Sequence, residues 1–139
     1  MAIDGGLRGV FRECLLGYQV TSIESGTTEA GIPDCEYIAR NGVSGWLEMK
    51  KTDGWAYIIR PFQIGWIERR MRMGGKVYVC VRRKQESIKH DEIWVLHPSV
   101  ARLGTLKGLG IGDVLIWGSG GPSRWPWAKI RELLEKREL

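Results

Sequence analysis

Cys35-Glu36-Tyr37-Ile38-Ala39-Arg40-Asn41-Gly42-Val43-Ser44-Gly45-Trp46-Leu47-Glu48-Met49-Lys50-Lys51 carries the strongest local signal in the chain. Two runs with strand character, residues 35–40 and 43–51, flank Asn41-Gly42, the dipeptide that best tolerates the positive φ angles of a two-residue type I′ turn. The expectation is a β-hairpin. Side chains alternate along a strand, so Trp46, Glu48 and Lys50 project to one face and Leu47 and Met49 to the other. Two charged residues thereby share a face of a strand that reads as central to a sheet.

Outward from the hairpin, the pattern alternates between helix and strand. Leu7, Val10, Phe11, Cys14 and Leu15 follow the i, i+3, i+4, i+7, i+8 spacing of an amphipathic helix over residues 4–16. A strand is predicted over 18–23, and the polar, glycine-containing stretch 24–31 reads as a loop leading to Pro33-Asp34. Pro61 suits the first turn of a helix over 61–73, closed by Gly74-Gly75. Residues 76–83 (KVYVCVRR) and 92–96 (EIWVL) read as strands. Residues 98–122 hold seven glycines and a short apolar run, Val114 to Trp117, expected as an edge strand. A last helix is expected from near Ser123 or Pro126 to the end of the chain. The expected fold is α/β: one domain with a mixed central sheet flanked by helices, a core over about 4–97 and a C-terminal extension over about 98–139.

Composition narrows the function classes. A chain of 139 residues with 43% hydrophobic and 27% charged residues can build a core, which excludes a wholly disordered protein. No apolar run approaches the roughly 20 residues of a bilayer span. The opening residues lack a basic segment followed by an apolar one, which points to an intracellular, cytoplasmic protein. Cys14, Cys35 and Cys80 are odd in number and widely spaced, so they read as buried thiols rather than a zinc or redox motif. His90 and His97 read as surface or capping residues. The segment Gly108-Leu109-Gly110-Ile111-Gly112 reads as a turn-rich connection, having no lysine where a phosphate loop needs one.

Asp34 opens one hairpin strand and Glu48-Met49-Lys50 lies in the other, so the hairpin can bring all three together. Two converging carboxylates suit a hard divalent cation such as Mg²⁺, and a lysine on the glutamate's face can act on an attacking water. Gln63, Ile67 and Met71 form a stripe on one side of the 61–73 helix, so Gln63 is expected to face inward.

Gly31-Ile32-Pro33-Asp34, Glu48-Met49-Lys50 and Gln63 together resemble the PD-(D/E)xK nuclease superfamily, and more narrowly its VRR-NUC and Holliday-junction-resolvase-like branches, often found in phages. The resemblance covers roughly residues 7–83. It implies a restriction-endonuclease-like core and a Mg²⁺- or Mn²⁺-dependent DNA endonuclease. Asp34 and Glu48 would bind metal, Met49 would lend its backbone carbonyl, Lys50 would assist the hydrolytic water and Gln63 would support them. Family members often carry a further acidic ligand on the first helix, for which Glu13 is the candidate, with Glu24 and Ser25 as rivals. Branched DNA is the implied substrate and a homodimer the implied assembly, since two symmetric sites are needed to nick a four-way junction in paired strands. A phage-encoded enzyme of this kind would act in the host cytoplasm. Flap, nicking or duplex-specific cleavage could use the same site, and a non-catalytic nucleic-acid-binding subunit could keep the fold without turnover. No membrane and no protein partner is indicated.

Positive charge follows the motif closely. The net charge is +5, and Lys51, Arg60, Arg69, Arg70, Arg72 and Lys76, followed by Arg82, Arg83 and Lys84, are expected to meet DNA phosphates. Seven tryptophans are many for this length. Most are expected in the core or an interface, and Trp55, in the segment after the motif, is the one expected to touch DNA.

Overall fold

The computed structural model describes residues 4–23 and 30–139. Its elements in chain order are α1 (Leu7–Cys14), β1 (Gln19–Ser22), β2 (Cys35–Ile38), β3 (Ser44–Thr52), α2 (Pro61–Arg72), β4 (Val77–Arg83), β5 (Glu92–Leu96), β6 (Val114–Gly118) and α3 (Trp127–Leu134), with short 3-10 turns at Ile88–His90, Pro98–Leu103 and Pro122–Arg124. The six strands form one sheet in sequence order, β1-β2-β3-β4-β5-β6. Among the described residues only β3 and β4 pair in parallel, and α2 makes the crossover that such a pair requires. The result is α/β, with a mixed six-stranded sheet between helical layers.

Two apolar cores lie on opposite faces of the sheet. On one face, α1 and α3 set Leu7, Phe11, Leu15, Ile130 and Leu134 against Leu47, Met49, Tyr78, Cys80 and Val95. On the other, α2 and residues 98–106 cover Val77, Val79, Val81 and Leu96 with Trp66, Ile67, Val100 and Leu106. Because β4 is covered on both faces, its residues from Val77 to Arg82 are all buried, the pattern of a parallel strand with no solvent-facing side. Cys35 and Cys80 are buried thiols, and Cys14 is half-buried.

The hairpin is present but its turn differs from the expected one. Gly42 donates to the Ala39 carbonyl (2.9 Å) and Ala39 to that of Val43 (2.8 Å), enclosing three residues, Arg40, Asn41 and Gly42. Gly42 alone has positive φ, at +84°, and Asn41 does not. This is a type I turn followed by a left-handed glycine, not the two-residue type I′ turn. Asn41 acts through its side chain, whose Oδ1 accepts from the Val43 amide at 3.2 Å.

The last forty residues belong to the core. β6 closes the sheet beside β5, and α3 supplies buried Ile130 and Leu134, so residues 98–139 are no appendage to a core over 4–97. The expected last helix is shorter than predicted, beginning at Trp127 and ending at Leu134. His97 caps the 3-10 turn that follows it, accepting from the Ser99 amide through Nδ1. Among the described residues, no helix is long and apolar enough to cross a membrane.

Candidate active site

β2 and β3 pair with Cys35 opposite Leu47. One step further along, β2 has ended, and the Asp34 side chain takes its place: Oδ2 accepts from the Met49 amide at 2.8 Å. The Asp34 carbonyl in turn accepts from Ile23 at 2.8 Å, which ties the start of β2 to the end of β1. Asp34 is thus pinned through backbone and side chain alike, directly beside Glu48-Met49-Lys50. The Met49 carbonyl leaves β3 on the same edge as its amide, since both groups of a strand residue point to the same side.

Alternation along β3 sets Leu47 and Met49 in the α1/α3 core and turns Trp46, Glu48 and Lys50 toward α2. Glu48 is only 1% exposed. Its Oε2 lies 3.4 Å from Lys50 Nζ and accepts from Gln63 Nε2 at 3.2 Å. Lys50 Nζ also donates to Gln63 Oε1 at 3.1 Å. Gln63 therefore holds both members of the strand pair with one amide. Its orientation is fixed by a further bond, since Oε1 accepts from the Arg60 amide at 2.9 Å at the start of α2.

Burial, followed by the charge of Asp34, pushes the Glu48 carboxyl up to about 8 against the opposing pull of Lys50. The Asp34 carboxyl, held at the Met49 amide, is the charge that adds to burial in opposing ionisation of Glu48, so a proton or a cation relieves the pair. Glu48 Oε1 is buried and has no hydrogen-bond donor. An orphaned carboxylate oxygen beside a second carboxylate fits a hard divalent cation, which takes oxygen ligands and offsets the cost of burying the charge. Asp34, Glu48 and the Met49 carbonyl are the groups here that could hold one. Among the described residues, no cluster of three or more His, Cys, Asp or Glu side chains occurs, so such a cation would complete its shell with backbone, water or substrate oxygens.

The other expected ligands are not brought to this point. Glu13 is exposed on α1, and its charge acts on neighbouring Cys14 while Asp34 and Lys50 are the charges that act on Glu48. Glu24 and Ser25 lie outside the described residues. The α1 side chain whose charge is coupled to Asp34 is Arg8. Burial opposes its charge, but a hydrogen bond to Asp4 and then the charges of Asp4 and Asp34 hold it ionised. Asp4 anchors it at 2.9 Å and also accepts the Gly6 amide at 2.9 Å. The i, i+4 spacing of Asp4 and Arg8 was the available sequence signal for this pair.

The basic residues do not form one patch. Lys76 is buried at the opposite end of the parallel pair from Lys50 and donates to the Leu134 carbonyl at 2.8 Å and to that of Lys136. It anchors the end of α3, and burial, then the nearby charge of Lys136, bring it down to about 8, so it is not available to DNA. Arg82 is likewise buried, paired with Asp91 at 2.9 Å. Arg70 is half-buried, its guanidinium 4.4 Å from the Trp66 ring centre and 5.5 Å from that of Trp46. Lys51 projects to the α1 face, where it packs beside Gly5, away from Lys50. Arg69 and Arg72 are exposed on α2 and Arg60 is exposed just before it, with the Arg60 amide bonded to Gln63. Trp55 is 37% exposed and lies under the Arg83 guanidinium at 3.8 Å.

No protein-family model matches the chain, and no curated protein matches it at a significant level.

Proposed function

We propose that the chain is a divalent-metal-dependent DNA endonuclease of the PD-(D/E)xK type, with a restriction-endonuclease-like core, that hydrolyses a phosphodiester by in-line attack of water. The observation that carries the reading is the buried Glu48 carboxylate. It has one oxygen without a donor, a second carboxylate beside it, and a lysine and a glutamine on its other oxygen. A buried acid with those neighbours is costly as architecture and useful as a ligand set.

Asp34, Glu48 and the Met49 carbonyl would hold Mg²⁺ or Mn²⁺, which when bound supplies the positive charge that polarises a phosphoryl oxygen and makes water more acidic. Lys50, held by Gln63 and Glu48, orients the attacking water and offers a charged donor to the oxygen on which negative charge builds. Gln63 keeps the lysine on the strand's α2 face. Arg8, whose charge is coupled to that of Asp34, adds positive potential and would suit a phosphate of the bound strand. A homodimer with two such sites would nick a four-way junction in paired strands, which makes branched DNA the first substrate to try.

The test is cleavage of a labelled four-way junction, a flap, single-stranded DNA and a linear duplex, each with Mg²⁺, Mn²⁺ or EDTA. Metal-dependent cleavage of at least one, abolished in Asp34→Ala, is the expected result, and paired nicks confined to the junction would identify a resolvase. No cleavage of any substrate by the wild-type chain with either metal would overturn the reading.

A further inference from the structure

Three tryptophans outside the site form a chain of ring contacts. Trp55 and Trp94 meet edge to face with ring centres 6.3 Å apart, and Trp94 and Trp117 do the same at 6.4 Å. Sheet register fixes where these rings lie. Lys50 pairs with Val81, Val81 with Trp94 and Trp94 with Trp117, and paired residues share a face. Register thus sets Trp94 and Trp117 on the sheet face that carries Lys50, while Val81, between Lys50 and Trp94, is buried under α2 and residues 98–106. The accessible rings are Trp55, five residues after Lys50, and Trp117 on the edge strand β6, roughly 14 Å from β3 at the usual strand spacing.

The two outer rings are not placed as core. Trp94 is half-buried and packs against the α2-side core, but Trp117 is 52% exposed and Trp55 37%, and neither of these two belongs to an apolar cluster, whereas Trp66 and Trp125 are buried. The rings are nonetheless held rigidly. Glu92 accepts from Trp94 Nε1 at 2.8 Å and pairs with Arg83 at 3.2 Å. Arg83 stacks on Trp55 and donates to the Gly54 carbonyl at 2.7 Å. Lys107 Nζ lies 5.8 Å from the same Trp55 ring. Rings presented in fixed orientations beside cations suit a ligand with flat faces and negative charge between them.

We infer that the Trp55–Trp94–Trp117 series is a stacking track for unpaired nucleotides of a strand that leaves the Lys50 site across the sheet toward β6. Its substrate class, DNA with a single-stranded segment next to the scissile duplex, rests on the nuclease reading. The exposed Trp55 and Trp117 indoles take bases regardless of sequence, while exposed Lys107 meets phosphates. The strand's sugar-phosphate charge is what separates this occupant from an uncharged apolar partner.

Fluorescence anisotropy in EDTA, where no metal-dependent cleavage occurs, measures this apart from catalysis. The probes are a labelled single strand of about 12 nucleotides, a blunt duplex of the same length and that duplex with a single-stranded tail. The wild-type chain is expected to prefer the tailed over the blunt duplex. Trp117→Ala should lose roughly tenfold in affinity for the single strand and the tailed duplex, and Trp117→Phe should keep most of it. Circular dichroism melting verifies that both variants fold. Equal binding of tailed and blunt duplex by wild type, or Trp117→Ala binding all probes as wild type does, would overturn the inference. So would sedimentation showing that Trp117→Ala only splits a dimer while the affinities stay unchanged. A wild-type chain that cuts nothing but shows the anisotropy pattern refutes the nuclease reading alone.

Discussion

At the scale of single residues, Glu48 is where burial and charge conflict most. Its carboxyl moves from an ordinary value of 4.5 up to about 8 through burial and then Asp34. Between those values the folded chain holds a proton that the unfolded chain releases, so stability falls as pH rises through that window. Melting in EDTA should therefore show a lower transition temperature at about pH 8 than at about pH 5, and Glu48→Gln, which keeps the volume without the charge, should flatten the slope. Parallel slopes in wild type and variant would contradict it. Lys76, brought down to about 8 by burial and Lys136, works the other way and only above that pH, where the folded chain binds fewer protons. Gln63 is the second sensitive residue, because one amide contacts Lys50, Glu48 and the Arg60 backbone. Gln63→Ala should cost about 1–2 kcal/mol of stability and slow cleavage by about a hundredfold through misplacement of Lys50. An unchanged cleavage rate would remove Gln63 from the site.

Among the elements, the connections decide whether the site assembles. Gly31, at φ +87°, lies against the first turn of α2, and a Cβ placed there would fall 2.2 Å from the Phe62 carbonyl oxygen. Gly42, at φ +84°, has open space around the same position. Gly42→Ala should then cost about 1 kcal/mol, the left-handed penalty alone. Gly31→Ala should cost clearly more in thermal melts and reduce cleavage, because α2 must shift and Gln63 rides on it. Equal costs would mean that this contact does not position α2. Much of this layout was legible in sequence. Alternation put Glu48 and Lys50 on one face, and the helical stripe pointed Gln63 inward, because both follow from backbone period. The turn type was not legible, since Asn-Gly serves a two-residue turn or, as here, the end of a three-residue one, and only strand register decides. Lys76 looked like a DNA contact because its role depends on carbonyls 58 and 60 residues away. Glu13 followed from family resemblance, and α1 leaves it exposed.

For the whole molecule, the C-terminal segment was the hardest part to read, because its contribution is tertiary. β6 is short, and α3 presents only two fully buried side chains, Ile130 and Leu134. Yet α3 also supplies the Leu134 carbonyl to Tyr37 Oη at 3.0 Å and to Lys76. A chain ending after His97 would leave those donors without acceptors and uncover part of both faces of the sheet. It should lack a cooperative thermal transition, and a cooperative melt by the truncated chain would show that the core closes without β6 and α3. The central claim concerns the buried carboxylate, and one comparison tests it most directly: the Mg²⁺-dependent cleavage rate of the preferred DNA substrate by wild type and by Glu48→Gln. The account predicts a loss on the order of 10²–10³-fold or more, in a variant that without metal at about pH 8 melts no lower than wild type. A Glu48→Gln chain that cleaves at the wild-type rate would contradict it.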